Sequence, residues 1–380
     1  MHPAIIQRLV GQLLMLFSIT LLPPVLIDIY YREDAGQAFF YSYLGLLLTG
    51  FLLWLPVRRK QLELRLRDGF VVVVMFWTVL GLAGSLPFLL YEPLTISVAD
   101  AVFESVSGLT TTGATVLIGL DNLPRSILFY RQELQWLGGM GIIVLAVAVM
   151  PMLGIGGMQL YRAEAPGPVK DSKLTPRIAE TAKALWYIYL GLTIACALAY
   201  WLAGMTPFDA IAHSFSTVAI GGFSTHDASI GYFDSVAIES VAIVFMLLGG
   251  VNFALHFTGL RALNIMHYLR DAEFKMYLSV LSVVSLAIIL YLYLHHDIPD
   301  IDEAIRQGLF HAVSIGTTAG FVTTDFTAWP TFVPVMLLFA SFIGGCAGST
   351  GGGMKVIRVL LLIRQGQREM MRLIHPSAQV

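Results

Sequence analysis

Charge is what this sequence has least of: of 380 residues only 13% are Asp, Glu, Lys or Arg, while 57% are hydrophobic and the mean hydropathy is +0.75. That balance excludes an ordinary soluble domain, in which about a quarter of the residues carry charge. The formal net charge is −2 and no polar segment carries a basic stripe with interleaved aromatics, so a nucleic-acid surface is excluded too. Cysteine is nearly absent. Cys196 and Cys346 stand far apart in apolar or glycine-rich surroundings, which leaves no disulfide framework and no thiolate metal site. A small-residue cleavage site is lacking after the first apolar stretch, which is therefore read as a retained helix, kinked or ended by Pro23 and Pro24.

What the chain has instead is one apolar run after another, most near the roughly 20 residues that cross a bilayer. They lie at 5–30, 39–57, 70–90, 127–153, 183–203, 235–257, 276–294 and, shorter, 331–342. Lys and Arg accumulate in the cytoplasmic connections of membrane proteins. Arg8, the group Arg58, Arg59, Lys60, Arg65 and Arg67, the group Arg162, Lys170, Lys173, Arg177 and Lys183, the group Arg261, Arg270 and Lys275, and the terminal Lys355, Arg358, Arg364, Arg368 and Arg372 fall on one side. Arg32, Arg125, Arg131 and Arg306 are left for the other. The expectation is an all-α polytopic membrane protein with its N-terminus in the cytoplasm.

Successive basic groups are separated by two apolar spans with a more polar, outward-facing stretch between them, and these stretches repeat. Glu104, Ser107 and Gly113 in the first correspond to His213, Ser216 and Gly222 in the second and His311, Ser314 and Gly320 in the third, the serine six and the Glu or His nine residues before the anchor glycine. A Gly-Gly pair follows at Gly138-Gly139, Gly249-Gly250 and Gly344-Gly345, 25, 27 and 24 residues downstream. Each unit reads as an apolar helix, a short amphipathic helix (about 99–109 in the first), a Thr- and Gly-rich loop and a second apolar helix. The short helix and loop cannot cross the bilayer twice, so they form a re-entrant hairpin, and irregular backbone at that depth must line protein or water. Three such hairpins on one face converge on a shared aqueous axis. A dehydrated cation needs oxygen dipoles in place of its hydration shell, which backbone carbonyls supply without a trapping charge. Glycine supplies positive φ and leaves the pore open, and each short helix aims the negative end of its dipole at the axis.

Between Gly344 and Gly353 six of ten residues are glycine, which no helix interior tolerates cheaply, so the run interrupts the last apolar span, which is expected to resume at 356–363. A break there at membrane depth lines a cavity, or it is an interfacial connection at the helix end. Lys355, Arg358 and Arg364 read first as topology-setting charges. Asn252 and His256 are either satisfied within the bundle or line the pore. Glu104, His213 and His311 are expected to anchor loop backbone. His295, His296 and Asp297 read as an external turn. The triplicated Ser107, Ser216 and Ser314 lack a unique base, so the chain is not expected to be an enzyme. Transport of another solute through broken helices remains a rival, although its repeats are usually inverted, and these share one orientation.

The stretch 103–116, with 219–225 and 317–321, then 136–141, 159–164 and 344–355, closely resembles the TrkH family of potassium uptake subunits in the Trk/Ktr/HKT superfamily, in order and over essentially the whole chain. The resemblance implies a bacterial inner-membrane K⁺ filter formed by Thr110, Thr111, Thr112 and Gly113, by Ile220, Gly221 and Gly222, and by Thr318, Ala319 and Gly320. The K⁺ ion would be held by the backbone carbonyls of Thr111, Thr112, Ile220, Gly221, Thr318 and Ala319, with no organic cofactor. In this superfamily serine at the first anchor goes with Na⁺ permeation, so Gly113 implies K⁺. The resemblance further implies a gating loop containing Gly344, Gly345, Gly348, Ser349, Thr350, Gly351, Gly352, Gly353 and Lys355. It also implies a cytosolic TrkA-type nucleotide-binding regulator, for which the proline-bearing connection 161–183 is a candidate dock, and a homodimer in the lipid bilayer. Passive flow and symport with H⁺ or Na⁺ both stay open.

The division expected is 1–69, an N-terminal two-helix segment; 70–160, 161–260 and 261–364, three pore units, the last with the glycine-rich loop; and 365–380, a cytoplasmic tail. The family has four filter units, whereas the chain ends at Val380 without a fourth. The expectation is that another polypeptide completes the ring or that the chain does not conduct as it stands.

Overall fold

In lipid the backbone must satisfy its own hydrogen bonds, which leaves apolar segments of this length the helix as their stable form. The structure is a computed structural model that describes residues 3–59, 66–139, 141, 178–295, 298, 300–330 and 332–374, and among these there are helices and no strand. Helix α1 (Pro3–Ile19) breaks at Thr20 and Leu21 and resumes as α2 (Leu22–Tyr31), with Pro23 and Pro24 in its first turn, where a missing N–H breaks no bond. Helix α3 (Gly36–Trp54) packs along α1. A Cβ on Gly11 would stand 2.7 Å from the Gly50 oxygen, and one on Gly50 2.7 Å from the Gly11 oxygen. Such small-residue crossings let helices meet closely where lipid supplies no hydrophobic push.

The chain then runs through α4 (Leu66–Gly84), α5 (Leu86–Leu90), the short helix α6 (Val98–Leu109) and α7 (Arg125–Gly139). A second series follows with α8 (Ile178–Leu202), the short helix α9 (Pro207–Val218) and α10 (Val236–Gly249). After α11 (Phe253–Ala262) and α12 (Met266–Arg270) the third comprises α13 (Ala272–Leu294), the short helix α14 (Ile301–Thr317), α15 (Phe332–Ile343) and α16 (Val356–Ile374). Each short helix starts on a side-chain cap. Ser97 and Asp100 form a reciprocal box, Thr206 Oγ1 accepts from the Asp209 N–H at 3.1 Å, and Asp300 accepts from the Asp302 N–H at 3.0 Å.

Among the described residues four helical segments, Pro3–Tyr31, Gly36–Val57, Lys183–Leu202 and Ala272–Leu294, are long and apolar enough to cross a membrane. Their outer faces expose Leu48, Leu52, Leu198, Leu202, Val283 and Leu286. Apolar side chains displayed in this way identify lipid as the surrounding solvent.

Three expectations are corrected. The first half of the span expected at 127–153 is α7, and that half is not apolar: Ser126, Arg131, Gln132, Glu133 and Gln135 are all buried in it, because it packs against protein on several sides. Residues 140 and 142–153 lie outside the described residues. The span expected at 235–257 stops at Gly249 and turns by 97° into α11, since the Gly249-Gly250 pair offers no side chain to hold the helix in register. The run 356–363 does not resume a span. It opens the 19-residue amphipathic helix α16, which carries Arg358, Arg364, Arg368 and Arg372 and continues to Ile374.

Candidate functional site

The three short helices end in the same way. Thr111, Ile220 and Thr318 take left-handed backbone (φ 53°, 53° and 73°). Their N–H groups donate back to Gly108, Thr217 and Ile315, and those of the next residues, Thr112, Gly221 and Ala319, donate to Ser107, Ser216 and Ser314 at 2.9, 2.8 and 2.8 Å. This is the Schellman closure, whose left-handed position normally belongs to glycine. Thr and Ile there are β-branched and strained, at ~1–3 kcal/mol each, a cost that persists only where surroundings over-determine it. Two residues on, Gly113, Gly222 and Gly320 are again left-handed (φ 77°, 79° and 87°).

At Gly113 and Gly222 there is no room for a side chain, whereas at Gly320 only the left-handed backbone opposes one. A Cβ on Gly113 would collide with the Gly221 carbonyl oxygen, and one on Gly222 with that of Ala319. The first loop therefore abuts the second and the second abuts the third, backbone against backbone. Among the described residues the carbonyl oxygens of Thr111, Thr112, Ile220, Thr318 and Ala319 accept no intramolecular hydrogen bond, and that of Gly221 accepts one, from Gln135 Nε2 at 2.6 Å. Thr110 closes the first helix, and its hydroxyl lies 2.8 Å from that of Thr112.

The Glu or His nine residues before each anchor reaches past it. Glu104 accepts from the Thr115 hydroxyl at 3.0 Å and the Val116 N–H at 3.2 Å. His213 bonds Ser224 Oγ at 2.9 Å, and His311 reaches the Thr324 carbonyl at 3.3 Å. Ser107 donates to the Ala114 carbonyl at 2.6 Å and Ser314 to that of Phe321 at 2.7 Å. In the second unit the corresponding carbonyl, that of Phe223, accepts from Gln132 Nε2 at 3.2 Å instead, and Ser216 Oγ has no partner.

Arg131, assigned from sequence to an outer connection, is instead wholly buried. It pairs with Glu104 at 2.6 Å, donates to the Ser224 carbonyl at 3.1 Å and to Thr115 Oγ1 at 2.9 Å, and lies over the Phe223 ring. Gln135 accepts from the Phe223 N–H at 3.0 Å while donating to Gly221. Arg131, Gln132 and Gln135 thus tie the first unit to the second loop. Sequence reasoning missed all three, although an Arg with two Gln on an otherwise apolar span is itself a signal for a buried functional network. Between the second and third units Arg306 makes the matching tie, to Glu239 at 2.7 Å and Asp234 at 2.8 Å.

Just beyond the second loop His226 Nδ1 meets Asp121 Oδ1 at 2.5 Å, and its ring stacks on Tyr232. Burial alone would depress this imidazole, but its contacts with Asp209 and Asp121 raise it above the ordinary range, and His226 in turn holds Asp121 below the usual carboxylate range.

The glycine pairs allow close contact with the ends of the short helices. A Cβ on Gly138 would clash with the Leu109 carbonyl, and one on Gly249 would stand 2.9 Å from that of Val218. The segment from Gly344 to Lys355 folds back beneath these ends. Thr350 Oγ1 donates to the carbonyls of Val218 at 2.9 Å and Gly249 at 3.1 Å, and the Gly352 N–H donates to Thr318 Oγ1 at 2.6 Å. Gly348 and Ser349 form the turn against Asn252, the Gly345 N–H faces the Gly352 carbonyl at 3.4 Å, and left-handed Gly344 and Gly353 pass each other at the neck. Lys355 Nζ donates to the Gly351 carbonyl, so this residue belongs to the loop itself, while Arg358 and Arg364 are exposed.

Asn252 caps α11 through the Ala254 N–H at 2.9 Å, and His256 bonds Tyr268 and the Leu248 carbonyl, so both are satisfied within the bundle. His295 stacks on Tyr291. His296, Asp297, the motif 159–164 and most of the connection 161–183, up to 177, lie outside the described residues.

Chemically, the arrangement offers carbonyl dipoles from three abutting loops, each at the negative end of a short helix, with no carboxylate among the loop residues themselves. Residues 35–380 match the TrkH family, described as a cation transport protein. The chain is 63% identical over 375 residues to the Trk system potassium uptake protein TrkH of Vibrio parahaemolyticus, covering 98% of this chain and 77% of that protein. It is 57% identical over 378 residues to TrkH of Escherichia coli strain K12, covering 100% of this chain and 78% of that protein. TrkG of the same strain is 42% identical over 377 residues, covering 99% and 78%. The crystal structure of the potassium transporter TrkH from Vibrio parahaemolyticus superposes with a TM-score of 0.90 at 58% identity, over 100% of this chain and 78% of that one.

Proposed function

This chain belongs to the TrkH family of cation transport proteins, and from that premise we propose that it takes up K⁺ across the bacterial inner membrane through a filter to which its three aligned loops contribute. The observation that carries the reading is the left-handed, glycine-anchored backbone repeated at 111–113, 220–222 and 318–320, with the loops abutting at Gly113 and Gly222. A K⁺ ion shedding its water meets carbonyls of Thr111, Thr112, Ile220, Gly221, Thr318 and Ala319. Buried Arg131, Gln135 and the three Glu or His anchors hold those groups in place without contributing a charge to the ion path.

The loop from Gly344 to Lys355 acts as the gate, since it is hydrogen-bonded to the inner ends of the second and third short helices. A cytosolic nucleotide-binding subunit of the TrkA kind sets the gate, the connection 161–183 being its dock, and the membrane subunit works as a homodimer. The N-terminus is cytoplasmic, as the Lys and Arg distribution favours.

⁸⁶Rb⁺ uptake into proteoliposomes tests the filter. The expected result is uptake blocked by excess K⁺ but not by Na⁺, and abolished or made Na⁺-permeable by Gly113→Ser, Gly222→Ser or Gly320→Ser. Uptake unchanged by all three substitutions sinks the assignment, and equal Na⁺ and K⁺ permeation transfers it to non-selective cation flow. Deleting Gly351 to Gly353 tests the gate and is expected to raise basal uptake.

A further inference from the structure

A helix start leaves backbone N–H groups without partners inside the helix, and a loop that leads into one is only as well placed as those groups are. In α16 the Ile357 N–H is such a group, and it is capped from another helix: Glu273, in the first turn of α13, accepts from it at 3.1 Å. The same oxygen, Oε1, accepts from the Ala347 N–H at 2.6 Å. Ala347 enters the turn of the glycine-rich segment and Ile357 lies just beyond its exit. One buried carboxylate oxygen therefore pins both limbs of the loop to the end of α13, while the loop's far side rests on Val218, Gly249 and Thr318 through Thr350 and Gly352. Hydrogen bonds to an ionised carboxylate are about twice as strong as neutral ones, and the position at a helix N-terminus favours its charge. Six glycines give the loop no rigidity of its own.

We infer that Glu273 is the positioning residue of the gate, the anchor that keeps the segment from Gly344 to Lys355 seated beneath the filter. The inference rests on the gate reading above and adds to it the side chain that holds the closed arrangement. It makes a gain-of-function prediction, which a misfolded protein cannot imitate. Glu273→Ala removes both acceptor contacts and raises basal ⁸⁶Rb⁺ uptake of the full chain in proteoliposomes by roughly tenfold, the shift in a closed–open equilibrium expected for two such bonds. Glu273→Gln keeps an acceptor oxygen and restores uptake toward the wild-type level. Glu273→Ala added to the Gly351–Gly353 deletion raises uptake no further.

Amide hydrogen exchange across 344–357 reads the anchor independently of conduction, and it is expected to speed up in Glu273→Ala and not in Glu273→Gln. If the deletion raises uptake while Glu273→Ala leaves both uptake and exchange at wild-type values, the anchor is overturned and the gate stands. If exchange speeds up but neither the deletion nor Glu273→Ala changes uptake, the anchor stands and the gate reading fails.

Discussion

The first and second glycine-anchored loops share a backbone and differ in what holds it. Around Gly113 the support is local: Ser107 on the same short helix donates to the Ala114 carbonyl, and Glu104, one turn earlier, holds Thr115 and Val116. Around Gly222 it comes largely from the neighbouring unit, with Gln132 and Gln135 of α7 on Phe223 and Gly221 and Arg131 on the Ser224 carbonyl, beside His213 of its own short helix on Ser224 Oγ, while the Ser216 hydroxyl has no partner among the described residues. The φ values of the paired positions nevertheless agree within a few degrees. The dihedral pattern is what the site needs, and any set of donors that over-determines it will serve. A loop held by its neighbour also couples the two units, so damage to α7 is felt at the second loop.

The most severe break in this comparison is Arg131→Met. It strips Glu104 of its partner inside the protein and frees both loops at once, and loss of one member of a buried pair costs about 3–5 kcal/mol. Melting of the purified protein is expected to fall sharply and selective Rb⁺ uptake to vanish, with partial recovery when Glu104→Leu is added. A drop no larger than that of a surface substitution would refute the shared role. Next comes Gln135→Leu, which leaves the Gly221 and Phe223 groups unpaired at about 1–3 kcal/mol each. It should loosen K⁺ over Na⁺ discrimination while leaving the first loop's amide exchange unchanged. The serines give the sharpest contrast: Ser314→Ala and Ser107→Ala should each cost about 1 kcal/mol, whereas Ser216→Ala should cost close to nothing. Equal effects at all three would show that the second loop does use its serine.

The smallest expected effect is at the His226–Asp121 clasp between the same two units. The raised His226 contributes stability that is full below its unfolded pKa and fades as pH rises through its folded value. The lowered Asp121 contributes above its unfolded pKa and fades as pH falls through its folded value. The clasp is therefore strongest between the ordinary carboxylate and ordinary imidazole values, and it fades towards the lowered Asp121 value on the acid side and the raised His226 value on the alkaline side. The Tm difference between wild type and His226→Gln should peak in that window and shrink on the alkaline side; a flat difference would mean that the pair contributes nothing.

Much of this site was legible in the chain. The anchor glycines, the serines six residues before them and the Gly-Gly pairs occur three times in register, and repetition marks positions whose backbone geometry is at stake. The limits of the first short helix were legible too, expected at about 99–109 and observed as Val98–Leu109. Arg131 was not, because a basic residue near a span edge reads as a topology signal until the helix around it is seen to be enclosed. The 97° turn after Gly249 was hidden for a related reason: hydropathy reports the solvent of a segment and is silent about its direction. Glu273 carried no signal in the sequence because its two partners are main-chain amides 74 and 84 residues away.

The residues alone determined the solvent, the helices and the threefold repetition of a glycine-anchored loop, because transfer to lipid and the freedom of glycine are properties of single residues and short runs. Tertiary structure decided which oxygen meets which donor. A buried carboxylate or guanidinium is tolerable only beside its partners, and those partners, Glu104 with Arg131 and Glu273 with Ala347 and Ile357, come from helices that adjoin only after the bundle has formed.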